Sequence, residues 1–217
     1  MNPIHWIFRR ALLLKPIKTG WLSAHLCALD LGYVNVFLYR KDDALIAFDT
    51  GNGKRRLRRE LGHVGIDPGC VTHVFLSHAD FDHAGCLDVF PNARFCLSED
   101  EQKNCTPPRP LRFKIARNPL QLEHAFMSDG ETTQVGSITV KAIKAPGHTA
   151  GSMAYLVNGH ILFTGDTLTF RRGEIVPNPA FVTDRKTIRA SAEMLKKLPG
   201  VELIVTAHVG VSEGRFS

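Results

Sequence analysis

No two of the five cysteines, Cys27, Cys70, Cys86, Cys96 and Cys105, form a CxxC pair, and their odd number and scatter leave no disulfide framework to read. That excludes a small disulfide-stapled scaffold and points to a reducing, cytoplasmic setting. The chain also lacks an apolar run able to span a bilayer. Its opening, MNPIHWIFRRALLLKP, is interrupted by Arg9 and Arg10 and has no small-residue cleavage site, so neither a transmembrane segment nor a signal peptide is expected. Residues 1–15 are expected instead as an amphipathic helix covering a sheet. There is no Ser/Gly-rich linker and no repeat of solenoid period, which leaves a single domain over 1–217. Acidic residues are the scarcer sign: 21 Asp and Glu against 27 Lys and Arg give a formal charge of +6. Such a field favours an anionic small-molecule substrate. Nucleic acid is not expected: the run GKRRLRRE at 53–60 has no aromatic residues interleaved for base stacking and reads as a solvated helix face.

What is present is a succession of short apolar runs. Strands are expected over 25–29, 33–39 and 44–49 as an antiparallel meander, then a helix from 54 to near Gly62 or Gly65, and a strand over 71–77. A short apolar helix near 84–89, a strand over 93–98 and an acidic helix start at 98–101 follow, before TPPRP at 106–110 breaks regular structure. Further strands are expected near 133–144, 153–157, 160–165 and 201–206, with a helix over about 184–198 and an irregular, substrate-covering segment over 170–181. Strands and helices mix in both halves. The economical fold is one α+β (α/β) unit with layered sheets.

The stretch LSHADFDHAG at 76–85 crowds two histidines and two aspartates into the end of a strand. His78 and Asp80 lie two apart and point the same way in an extended loop, while Asp82 and His83 lie where the chain turns into a helix. Two pairs of ligands can therefore face two neighbouring ions, although Asp80 or Asp82 could equally cap the helix. Three further groups stand where strand-like runs stop: His148 in APGHTAGS, Asp166 in LFTGD and His208 in LIVTAHVG. Imidazole and carboxylate converging from distant positions suit zinc, iron or manganese. His5, His25, His63, His73, His124 and His160 read as surface or core residues, and Tyr33 and Tyr155, on strand-like runs, as core or edge residues. Asp49 and Thr50 read as residues that fix the loop beneath the site, and Ser152 as a turn cap in the His148 loop.

In their order, His78-x-Asp80-x-Asp82-His83, PGHTAGS, FTGD and TAH resemble the metallo-β-lactamase superfamily, as does the upstream NVFLYRKDDALIAFDTG. The resemblance covers about 33–210. It implies a four-layer αββα sandwich with a dinuclear centre. His78, Asp80 and His148 would bind a first divalent ion, Asp82, His83 and His208 a second, and Asp166 would bridge, with Asp82 and Asp166 as the catalytic carboxylates. The activity it implies is that of a metallo-hydrolase, using metal-bound hydroxide on a small ester, thioester, lactone or related substrate. Zinc comes first as the cofactor; Asp80 stands where the family usually has His, and its harder oxygen donor admits manganese or iron, or a single ion at the second position. The other readings are a phosphodiesterase or nuclease, a di-iron redox protein resembling flavodiiron proteins, and a non-catalytic metal-binding member. The substrate groove is expected from the loops 99–130 and 167–183.

Overall fold

The computed structural model describes residues 14–105 and 124–213. Apart from positions 14 and 15, the helix expected over 1–15 lies outside the described residues, as does the breaker at 106–110.

Strands apolar on both faces dictate the layering. β1 (Gly20–Trp21), β2 (Leu26–Asp30), β3 (Asn35–Lys41) and β4 (Ala44–Phe48) form the expected antiparallel meander, with Phe37 opposite both Ala28 and Phe48. Along β3, Val36 and Leu38 face one way and Phe37 and Tyr39 the other, and all four are buried. A strand covered on both sides has to lie inside a stack. β5 (His73–Phe75), β6 (Arg94–Leu97) and β7 (His124–Phe126) continue in parallel from β4 and complete a seven-stranded sheet.

The second sheet runs in the order β15-β14-β11-β10-β9-β8, where β8 is Thr132–Val135, β9 Ile138–Lys144, β10 Met153–Val157, β11 Ile161–Phe163, β14 Leu203–Thr206 and β15 Gly210–Glu213. The single strand expected over 133–144 is a hairpin, because Gly136 at φ +56 turns the chain back. The irregular segment expected over 170–181 is also corrected. Its first part pairs as β12 (Leu168–Arg171) with β13 (Glu174–Pro177), turning through Arg172 and Gly173 at φ 54 and 85. Phe170 and Ile175, packed on the core below, hold this hairpin down.

The helices are α1 (Lys54–His63), α2 (Phe81–Ala84), α3 (Glu99–Cys105) and α4 (Arg185–Lys196). Leu57 and Leu61 of α1, one turn apart, pack on Leu29, Leu38 and Val74 of the first sheet. Ala192 and Leu195 of α4 pack on Ile143, Ala154 and Ile204 of the second. Between the sheets, Phe37, Phe48 and Phe75 meet Val140, Tyr155 and Phe163, with Phe48 stacked on Phe163 at 3.7 Å between centroids. The sequence of layers is thus helix, sheet, sheet, helix, the expected αββα sandwich. The basic run on α1 is a solvated face in which Lys54, Arg56 and Arg59 lie 2.8, 3.2 and 2.6 Å from Asp88, Asp30 and Glu60. Among the described residues no helix is long and apolar enough to cross a membrane.

Candidate metal centre

Strand direction collects the site. β11 is parallel to β14 and antiparallel to β10, which is antiparallel to β9, so the C-terminal ends of β9, β11 and β14 share one rim. His148, Asp166 and His208 follow those three ends. On the facing sheet β4 and β5 are parallel and end in Asp49 and in the 77–83 segment. Hydrogen bonds join the rims: among them, the amide of Met153 donates to Ser77 O at 2.8 Å, and the Tyr155 hydroxyl donates to Leu76 O at 2.7 Å.

The seven candidate ligands expected from the sequence all meet here. His78, His148 and Asp166 offer ligand atoms within 4.8 Å of one another, and Asp82, His83 and His208 do the same. Asp166 stands between the groups, with Oδ2 3.5 Å from His148 Nε2 and Oδ1 3.6 and 3.1 Å from Nε2 of His83 and His208. Asp82 Oδ2 lies 3.8 and 3.6 Å from the same two nitrogens of His83 and His208. Asp80 occupies the N-cap position of α2 but makes no side-chain cap bond. Its Oδ2 turns instead to Nε2 of His148 and His78, at 3.3 and 3.6 Å. Capping therefore does not explain this aspartate.

The hydrogen bonds behind the rings fix which nitrogen faces inward. Asp49 Oδ1 accepts from the Ser77 amide at 2.7 Å and its Oδ2 accepts from His83 Nδ1 at 2.8 Å, while Thr50 Oγ1 donates to His83 O at 3.0 Å, so both residues do fix the loop as expected. The Ser77 hydroxyl gives its proton to Asp49 and so accepts from His78 Nδ1, at 2.9 Å. His208 Nδ1 donates to Tyr33 O at 2.6 Å, with the Tyr33 ring stacked on the imidazole. In all three rings Nε2 is therefore the nitrogen aimed at the cluster, the one whose lone pair a cation would take. Ser152 Oγ caps the His148 loop through the Thr149 amide, as expected. Of the other histidines, His25, His63 and His160 bond locally to Arg40 O, Glu60 and Asn158 O.

Opposite charges are set against one another in a dry place. Burial opposes the charge on Asp166, yet the imidazoles of His208, His83 and His148 outweigh it and hold the carboxyl well below its usual range. Seen from the other side, burial resists protonation of His208, but Asp166 and Asp82 push it up to about 9. His83 is raised in the same way, against burial, by Asp82, Asp49 and Asp166. Burial likewise works against Asp80, and His78 and His148 prevail and lower it.

A divalent cation fits these residues. His78 Nε2, His83 Nε2 and Asp166 Oδ1 are buried without a hydrogen-bond partner, at a cost of roughly 1–3 kcal/mol each if left so. Imidazole nitrogen with carboxylate oxygen is a donor set that zinc, manganese and iron all accept.

The sequence matches the metallo-beta-lactamase superfamily over residues 29–208. The chain belongs to that superfamily. Hydroxyacylglutathione hydrolase of Rhizobium etli is 35% identical over 150 residues, 68% of this chain and 52% of that protein, so the chain spans about half of its length. The probable metallo-hydrolase YqgX of Bacillus subtilis is 25% identical over 187 residues, 80% of this chain and 84% of that one. Among solved structures, Rm3 metallo-beta-lactamase superposes with a TM-score of 0.71 at 19% identity, covering 91% of this chain and 80% of its own, which shows the shared fold. The enzyme class expected from the motifs, a metallo-hydrolase, is the class to which this membership and these relatives assign the chain.

One residue of the site was not expected. Glu101, read from the sequence as part of an acidic helix start, is buried, with its carboxylate between the loops of His78 and His148. Nothing in the string SEDE distinguishes it from its neighbours.

Proposed function

We propose that this chain hydrolyses small, anionic esters or thioesters with two divalent cations. His78, Asp80 and His148 would hold one, Asp82, His83 and His208 the other, and Asp166 both. The observation that carries the reading is the placement of Asp166, whose two oxygens face imidazoles of both groups from the middle of the site. Cations held there would acidify water and polarise a carbonyl oxygen. The chain's own residues do the rest. The Nδ1 hydrogen bonds of His78, His83 and His208 hold each ring with Nε2 directed at the cluster, so that Nε2 is the nitrogen that would give up its proton to a cation. The Asp82 carboxyl, 14% exposed, can be reached by water and can accept a proton from it at its oxygen. In the first position Asp80 adds a second hard oxygen donor to that of Asp166, and so favours manganese or iron there over what a third imidazole would.

Thioesters are preferred because hydroxyacylglutathione, the substrate named for the Rhizobium etli relative, is one, and the +6 charge suits an anionic acyl carrier. The unpaired state of Cys27, Cys70, Cys86 and Cys96 supports action in a reducing, cytoplasmic compartment, with 1–217 working as a single domain. The test is to measure bound metal by elemental mass spectrometry on protein purified without chelator, and then turnover of ester, thioester and phosphodiester panels. Chelator-sensitive thioester or ester hydrolysis supports the proposal. Hydrolysis of phosphodiesters alone, or two irons with reversible reduction and no hydrolysis, refutes it.

A further inference from the structure

We infer that Glu101 is a positioning residue, a strut that sets the distance between the loop carrying His78 and Asp80 and the loop carrying His148. It thereby governs the first cation position separately from the second. The inference rests on the cation assignment proposed above.

Glu101 is 3% exposed. Its Oε1 accepts from the amide of Ala79, which lies between His78 and Asp80, at 3.1 Å. Its Oε2 accepts from the hydroxyl of Thr149, next to His148, at 2.6 Å. One buried carboxylate therefore spans both loops. α3, which carries it, is locked to the same place. Ser98 Oγ donates to Gly151 O at 2.6 Å and accepts from the Glu101 amide at 3.1 Å. Gly151 lies so close that a Cβ there would come within 2.1 Å of Glu101 N and 2.4 Å of its Cα, an approach that only glycine permits.

The two cation positions are supported differently. In the second, each imidazole has its own anchor: Asp49 for His83 and the Tyr33 carbonyl for His208. In the first, His78 is anchored by Ser77 Oγ at 2.9 Å, but His148 Nδ1 is buried without a hydrogen-bond partner, so behind the ring, away from the 3.3 Å contact of Nε2 with Asp80, His148 is placed by its backbone. That backbone is held on one side by Thr183, whose hydroxyl donates to His148 O at 2.6 Å. On the side facing His78 it is held through Thr149 and Glu101. Loss of the strut lets the first pair of loops drift while the second position keeps its anchors.

The experiment compares the wild type with Glu101→Ala, Thr149→Val and Glu101→Gln. Zinc stoichiometry and affinity are measured by elemental mass spectrometry and chelator competition, and amide hydrogen exchange is followed over 78–84, 147–152 and 206–210. In Glu101→Ala one of the two zinc affinities should fall by roughly 10- to 100-fold, the range typical of lost supporting hydrogen bonds, with the other unchanged. Exchange should quicken at 78–84 and 147–152 but not at 206–210. Thr149→Val, which cuts one end of the strut, should shift both readouts in the same direction by less. Glu101→Gln should restore them, since its carbonyl accepts from Ala79 and its amide can donate to Thr149 Oγ1, which still reaches Ser152 Oγ at 2.7 Å. Should Glu101→Ala fail to fold, the contrast between Thr149→Val and Glu101→Gln decides. Wild-type zinc binding and exchange in Thr149→Val overturns the strut, as does equal weakening of both positions. If the wild type holds a single zinc ion that Thr149→Val weakens, the strut stands and the two-cation reading falls. If that single ion is unaffected, both fall.

Discussion

Asp49→Asn exchanges one carboxylate oxygen for an amide nitrogen with almost no change of shape, and it should weaken the second cation position while leaving the chain folded. Asp49 lies just past β4 at φ 58, in the left-handed region that Asp and Asn both tolerate. The Ser77 amide donates to Oδ1 at 2.7 Å, and that contact will hold the asparagine carbonyl in the same place. The new NH2 then stands where Oδ2 was, 2.8 Å from His83 Nδ1. Two N–H groups cannot share that contact. His83 must present a lone pair at Nδ1 and carry its proton on Nε2, the nitrogen that faces Asp166 at 3.6 Å and Asp82 at 3.8 Å. A protonated Nε2 is no ligand. Supporting hydrogen bonds of this kind are worth roughly 10- to 100-fold in metal affinity, or about 1.4–2.8 kcal/mol. The assay is zinc competition with a chromophoric chelator, together with a thermal melt of the chelator-treated protein. One affinity should fall by that factor with the melt nearly unchanged. Unaltered affinity at both positions would refute the tautomer argument. Equal loss at both, with a lower melting temperature, would show that Asp49 supports the fold and not His83 in particular.

Asp166→Ala removes the carboxylate that faces both groups, at 3.5 Å from His148 and 3.1 Å from His208; metal content should fall at both positions and hydrolysis with it, and unchanged stoichiometry would exclude a shared ligand. Gly165→Ala forces a Cβ to within 2.4 Å of Ser77 Cβ at φ +50, so a urea midpoint should register a loss of about 2–5 kcal/mol, combining left-handed strain with overpacking; an unshifted midpoint would contradict the close approach. In chelator-treated protein, the His208 contribution to stability is complete below the ordinary histidine pKa near 6.5 and is lost as pH rises through its folded value of about 9. The melting temperature should decline across that window, and zinc affinity should climb over it because the cation displaces the same proton. Flat profiles would show that His208 does not titrate there.

The difference between what local sequence reveals and what it hides follows from chain separation. The layering was legible because strands such as NVFLY are apolar at successive positions and need cover on both faces. The candidate ligands were legible because His78, Asp80, Asp82 and His83 are crowded into one strand end, and His148, Asp166 and His208 each follow another. The β12–β13 hairpin was not, since its turn requires positive φ at Arg172, where the residue type gives no hint. Asp49 was expected beneath the site, but its partner His83, and the supporting role of Glu101, were hidden for a different reason. Asp49 meets His83 across 34 positions and Glu101 meets Thr149 across 48, contacts that exist only once the sandwich has closed. A carboxylate that binds a cation and one that props up a loop look alike in a sequence, because the distinction lies in what each faces after folding. Asp80 faces two imidazoles, whereas Glu101 faces a backbone amide and a hydroxyl. The first contact is with groups able to bind metal and the second with groups that only donate protons, and this is the ground on which ligand duty is proposed for Asp80 and loop spacing for Glu101.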